Sequence, residues 1–132
     1  MQSYIWIAIG SAMGGMARHW CSVAGVQLLG QSFPWPTLFV NVLGSFIIGL
    51  FATLTGPEGR FLAGATAREF IMVGLLGGYT TFSAFSLQTL GLMQDERWAA
   101  ACLYIALSVL LCLLAVWAGH VGATYFNALK GS

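Results

Sequence analysis

The sequence predicts an all-α membrane protein of four transmembrane helices, the third broken near its middle. Three observations predict it. Hydrophobic residues fill 58% of the 132 positions and charged residues only 7%, against roughly a quarter charged in an ordinary soluble domain. The apolar residues gather into long runs separated by short loops that hold the turn residues and most of the charge. One run is interrupted by Gly77-Gly78-Tyr79-Thr80-Thr81. At about 20 apolar residues per crossing, the length accommodates one four-span domain, residues 1–132, and no ectodomain or receptor module. No segment alternates as a barrel strand does, and lipid-exposed backbone must satisfy its own hydrogen bonds, which leaves helices.

The first run, residues 4–29, carries Arg18 and His19 and ends at Gly30-Gln31-Ser32-Phe33-Pro34-Trp35-Pro36, where prolines and a tryptophan mark a bilayer interface. Met1-Gln2-Ser3 lacks the basic start of a cleavable signal, and the run is too long for a signal core, so this span is expected to stay in the mature protein. The second run, 37–55, is uncharged and stops at Gly56-Pro57-Glu58-Gly59-Arg60. The loop continues to Arg68-Glu69, with a short interfacial segment expected around 61–65. In the third run, 70–93, two glycines and two β-branched threonines are poorly carried by a helix. The run therefore reads as two half-helices, one ending near Gly77 and the other starting near Thr81. Gln94-Asp95-Glu96-Arg97 leads into the fourth run, 98–126, which gives way to Asn127 and Lys130. Gly10 and Gly14, Ser45 and Gly49, and Gly74 and Gly78 are small residues at the four-residue spacing that lets membrane helices approach closely.

Five Lys and Arg against four Asp and Glu give a net charge of +1, from which no nucleic-acid surface can be assembled. With four spans, Arg60, Arg68 and Lys130 lie on one side and Arg97, with Arg18, toward the other. That is a poor bias for the positive-inside rule. An antiparallel homodimer of dual topology is thus one expectation, beside a single orientation with a modest bias. Cys21, Cys102 and Cys112 are odd in number, lie in apolar runs and lack metal-site spacing, so they read as packing residues.

No acid lies well inside a span, with Glu69 at a span end and Glu58, Asp95 and Glu96 in loops, which disfavours a proton- or cation-coupled transporter. No nucleophile–base or paired-carboxylate arrangement supports an enzyme. His19 and His120 are isolated. The polar residues within spans remain. Thr37 and Asn41 are four apart, as are Tyr104, Ser108 and Cys112 in turn, so each set occupies one helix face. Asn41 has two N–H donors and each hydroxyl has one, which suits an anion; interhelical bonding is the alternative reading. The broken span aims helix-end carbonyls and helix-start amides at one place, a setting for a cation and an anion near each other. Beyond it, Phe82 and Phe85 are three apart and can turn electropositive ring edges to an anion, or simply pack.

These residues resemble the CrcB-type fluoride channels, the Fluc family. The resemblance rests on residues 10–18 (GSAMGGMAR), 37–46 (TLFVNVLGSF) and 77–86 (GGYTTFSAFS), in matching order and spacing over nearly the whole chain. It implies a dual-topology homodimer in the cell inner membrane with two pores that export fluoride passively from the cytoplasm. It implies a central sodium ion on the backbone carbonyls of Gly77 and Thr80. It assigns the pore to Asn41, Phe82, Phe85, Tyr104 and Ser108, and Arg18 to a pore mouth or a membrane anchor. The sequence departs from the family pattern at Pro36, Ala84, Cys112 and Gln88, the last standing where an acidic residue is common. The rival readings are a four-span small multidrug exporter, which wants an acid in the first span, and a non-conducting membrane assembly subunit.

Overall fold

The computed structural model describes residues 1–129, all helix, turn and loop, with no strand among them. Lys130, counted above on one side of the membrane, lies outside the described residues. Helix α1 spans Gln2–Leu29, α2 Trp35–Leu54, α3 Ala65–Arg68, α4 Gly77–Tyr79, α5 Phe82–Gln94 and α6 Trp98–Ala128; a π-helical stretch, Glu69–Leu76, joins α3 to α4. Among the described residues, three segments are long and apolar enough to cross a membrane: Trp35–Leu54, Ala65–Gln94 and Trp98–Ala128. Helix α1 is long enough, at 28 residues and about 42 Å, but the glycines, Arg18, His19 and Gln27 dilute its apolar character.

Several boundaries differ from the expectations above. Helix α2 starts at Trp35, so Pro36 sits within the first turn, where its missing N–H costs nothing. Residues 55–64 form turns and loop, and helix resumes at Ala65 rather than at 70. Gly77 and Gly78 are helical, and the break falls beyond them, where Thr80 (φ −84°, ψ 161°) and Thr81 (φ −156°, ψ 117°) are extended. Packing overrides glycine's weak helix propensity here. A Cβ on Gly78 would lie 2.6 Å from the Ser11 carbonyl oxygen of α1, and one on Gly10 would lie 2.7 Å from the Phe70 carbonyl oxygen. The glycines serve this contact.

The break also reroutes the chain. Residues 65–79 pack along α1, whereas α5 packs on α6, which in turn lies along α2 in the most extensive helix contact of the fold. The α5–α6 turn closes with Glu96 N–H bonded to Met93 O and Arg97 N–H to Leu92 O, a Schellman arrangement. Its left-handed position holds Glu96 (φ 59°) rather than glycine. The buried core gathers at the α2–α5–α6 junction around Phe33, Leu38, Phe85, Leu92, Ala101 and Tyr104. Leu110, Leu113, Leu114 and Trp117 of α6, and Ile5, Ile9, Met13 and Met16 of α1, point outward, as a lipid-facing surface does.

Candidate functional site

The break is held by one side chain. Asn41 of α2 takes the Thr81 N–H on its Oδ1 at 2.8 Å and donates Nδ2–H to the Thr81 carbonyl at 3.0 Å, so both backbone groups of that residue are satisfied by one amide. The backbone donor and acceptor fix the orientation of the amide. One of the two donors expected for an anion is thereby engaged, leaving a single free N–H on Asn41.

The remaining groups at the break can be accounted for in turn. In a continuous helix the Thr81 N–H would meet the Gly77 carbonyl, but it is on Asn41. The Ala84 N–H would meet the Thr80 carbonyl, but it caps α5 through Thr81 Oγ1 at 3.1 Å. The Gly78 carbonyl instead accepts Nε–H of Arg18 at 3.2 Å, and the Leu76 carbonyl accepts both the N–H and the Oγ1–H of Thr80. Gly77 and Thr80 thus keep carbonyls whose helical donors are diverted, the right chemistry for a small hard cation. The diversion lies in the backbone pairing, which composition cannot reveal. Arg18 thus ties α1 to the Gly78 carbonyl through its Nε.

Two cavities flank this region. The first, about 400 Å³, is lined by Asn41, Thr80, Thr81, Phe82, Phe85, Ser108 and Cys112, and no acid contributes to it. The second, about 310 Å³, is lined by Thr37, Gln88, Asp95 and Arg97 among others. Each of α2 and α5 contributes to both within about one turn: Thr37 and Asn41 on α2, Gln88 and Phe85 on α5. Between them lies an aromatic layer in which the Tyr104 ring is 5.0 Å from Phe85 and 5.4 Å from Phe33, centroid to centroid.

Tyr104 is fully buried and lines neither cavity; its hydroxyl donates to Gln88 Oε1 at 2.8 Å. The donor expected for an anion is therefore engaged by Gln88, whose amide hydrogens are left free. Gln88, a departure from the family pattern, is a wall residue of the second cavity; the four-residue ladders on α2 and α6 gave no sign of it. Ser108 is buried and its Oγ has no hydrogen-bond partner. Phe82 and Phe85 sit 5.3 Å apart, yet Phe85 is 8% exposed and Phe82 76%. The edge of the chain's own packing runs between them. Toward the opposite end of Ala65–Gln94, Glu69 Oε2 is buried without a partner.

The fold and site define an all-helical membrane protein with a broken span, whose polar groups face two cavities across an aromatic layer. The family described as "CrcB-like protein, Camphor Resistance (CrcB)" matches residues 5–120, and the chain belongs to this family. It is 56% identical over 132 residues to a protein of Opitutus terrae, covering 100% of both chains. It is 56% identical over 129 residues to one of Methylocella silvestris, covering 98% of each. A Paramagnetospirillum magneticum protein is 54% identical over 127 residues, covering 96% of this chain and 99% of its own. All three are named fluoride-specific ion channel FluC. The chain is membrane-embedded, and its family is one of channels rather than enzymes.

Proposed function

We propose that this protein is a fluoride-selective channel that lets fluoride leave the cytoplasm passively across the cell inner membrane and so limits its toxicity. The observation that carries this is the buried, unpartnered Ser108 hydroxyl on a cavity that also offers an amide, two threonines and two phenyl rings, and no carboxylate. A buried hydroxyl without a partner costs free energy unless something accepts its hydrogen. The full-length relatives that bear the name of fluoride channels supply the identity of that acceptor.

Fluoride is small and tightly hydrated, so each step must replace water with donors and still release the ion. In the first cavity the donors are the free N–H of Asn41 and the Ser108 hydroxyl, with the ring edges of Phe82 and Phe85 beside them. In the second they are the amide hydrogens of Gln88. Passage between the two requires the Tyr104 hydroxyl to turn from Gln88 to the ion, or the Gln88 amide to take the ion over. Both moves are side-chain rotations within one turn of helix.

The complete assembly in this reading is four-spanned and paired with a second copy in antiparallel orientation. Helix α1 serves as a span because its glycine face is covered by residues 65–79, its Arg18 is bonded to Gly78 O, and its outward residues are apolar. Phe82 and Gly77 face out of the chain, which favours a second copy completing the wall. Arg60 and Arg68 on one side and Arg97 on the other leave the orientation bias weak. A sodium ion on the Gly77 and Thr80 carbonyls would balance the partial negative charge of those groups; this chain holds them apart from their helical donors through Asn41 and Thr81. The exporter reading lacks the acid it wants in α1.

The test is flux from liposomes containing the purified protein, with a potassium ionophore to balance charge and electrodes for fluoride and chloride. Rapid fluoride release with little chloride release is expected. No fluoride release from folded, dimeric protein would overturn the assignment.

A further inference from the structure

Gly44 stands three residues after Asn41 on the same face of α2 and is buried. A Cβ on it would lie 2.2 Å from Cγ2 of Thr80, with the next nearest atoms, Tyr79 Cδ1 and Thr80 Cβ, at 3.6 and 3.7 Å. Those two are ordinary contacts, so one methyl group accounts for the whole overlap. At Gly14, Gly49, Gly78 and Gly119 the atom in the way is a backbone carbonyl oxygen instead. The Thr80 methyl does not turn freely. Its hydroxyl donates to Leu76 O at 2.9 Å, and the same carbonyl accepts Thr80 N–H at 3.0 Å. That bond fixes χ1 and, through the chirality at Cβ, the direction of the methyl. Thr80 is also where the backbone leaves the helical ladder, with ψ at 161°. Helix α2 therefore grips the break at two points about one turn apart: Asn41 holds the backbone of Thr81, and the bare surface of Gly44 receives the methyl of Thr80.

We propose that Gly44 is a positioning residue of the ion path: its missing side chain seats the Thr80 methyl and thereby sets the Thr80 carbonyl. The inference deepens the channel reading and rests on it, since that reading gives this carbonyl to sodium. A side chain at position 44 leaves Thr80 two responses. It turns about χ1 and loses its bond to Leu76 O, or it shifts as a whole. The first frees the residue that carries the carbonyl, and the second displaces it.

A double-mutant cycle of Gly44→Ala and Thr80→Ser in the full-length protein tests this. Thr80→Ser keeps the backbone carbonyl and the hydroxyl and removes only the methyl, so the new Cβ then meets nothing nearer than 3.6 Å. Two readouts are taken: fluoride flux from liposomes, and the rise in melting temperature in detergent when sodium chloride replaces N-methylglucamine chloride. Gly44→Ala is expected to lower flux and weaken sodium binding about fivefold or more, the worth of one hydrogen bond. The double variant is expected to match Thr80→Ser alone on both readouts. A Gly44→Ala protein that melts lower by the same amount in both salts, or that equals the parent throughout, overturns the proposal. So does a double variant that adds the two single losses. If Gly44→Ala does not fold, the comparison of the double variant with Thr80→Ser decides, and a double variant that also fails to fold overturns the proposal. A parent without fluoride flux overturns the channel reading, and a parent indifferent to sodium overturns the sodium assignment; in either case the cycle in the remaining readout still decides the role of Gly44.

Discussion

Replacing Asn41 with alanine tests the geometry most directly, because one side chain closes the break at Thr80-Thr81 and also lines the first cavity. The substitution removes two hydrogen bonds, at 2.8 and 3.0 Å, and strands the N–H and C=O of Thr81. Each buried backbone group left without a partner costs about 1–3 kcal/mol. Asn41 and Thr81 are half-buried, so water reaches part of the gap and the lower end applies to each, a total of about 2–3 kcal/mol. Equilibrium unfolding in mixed micelles, followed by helical circular dichroism, measures this. Asn41→Asp separates the two roles: it keeps the acceptor for Thr81 N–H, loses the donor to Thr81 O, and adds negative charge to a path for anions. Fluoride flux should therefore fall further in Asn41→Asp than stability does. If Asn41→Ala unfolds within about 0.5 kcal/mol of the parent with unchanged flux, the amide is neither the clasp of the break nor part of the path.

Four further outcomes are expected. Ser108→Ala should leave stability unchanged or raise it by up to about 1 kcal/mol, because the hydroxyl it removes is unpaired, while fluoride flux falls; a loss of stability would mean that the hydroxyl has a protein partner. Phe82→Ile and Phe85→Ile should each slow flux with the dimer intact on size exclusion, and unchanged flux in both would remove the rings from the path. Gly78→Ala should destabilise by about 1–3 kcal/mol in a thermal melt, since its Cβ would lie 2.6 Å from a backbone oxygen of α1. Glu96→Gly should stabilise by about 1 kcal/mol by relieving the left-handed conformation at the α5–α6 turn.

The uncharged second and fourth runs were legible because turn residues and charges bracket them; Trp35–Leu54 and Trp98–Ala128 end within two residues of those marks. The existence of the break was legible from composition, but its position was not. Glycine's helix penalty pointed to Gly77-Gly78, and only the approach of α1 shows why those two stay helical and the threonines open instead. The pairing of Phe82 with Phe85 could be read from their spacing. That one would be covered and the other bare depends on where α6 lies, which no local pattern encodes. Tyr104 and Ser108 are both buried on α6, but the direction of the Tyr104 hydroxyl was set by Gln88 sixteen residues earlier in the chain. The bond from Arg18 to Gly78 likewise joins residues sixty apart. Long-range partners of this kind leave no periodicity to find.

The π-helical stretch has a bearing on how the chain can change its length over evolutionary time. Deleting one residue from an ordinary helix rotates everything beyond it by about 100° and turns buried positions outward. A π-helix spaces its hydrogen bonds five residues apart instead of four, so Glu69–Leu76 already contains surplus chain. Loss of a residue there, such as the exposed Val73, lets the ladder tighten to the α pattern while Gly78, Thr80 and Thr81 stay in register with α1 and α2. This stretch is thus the place in Ala65–Gln94 best able to absorb the loss of a residue, and relatives one residue shorter in this segment are expected to carry their gap there.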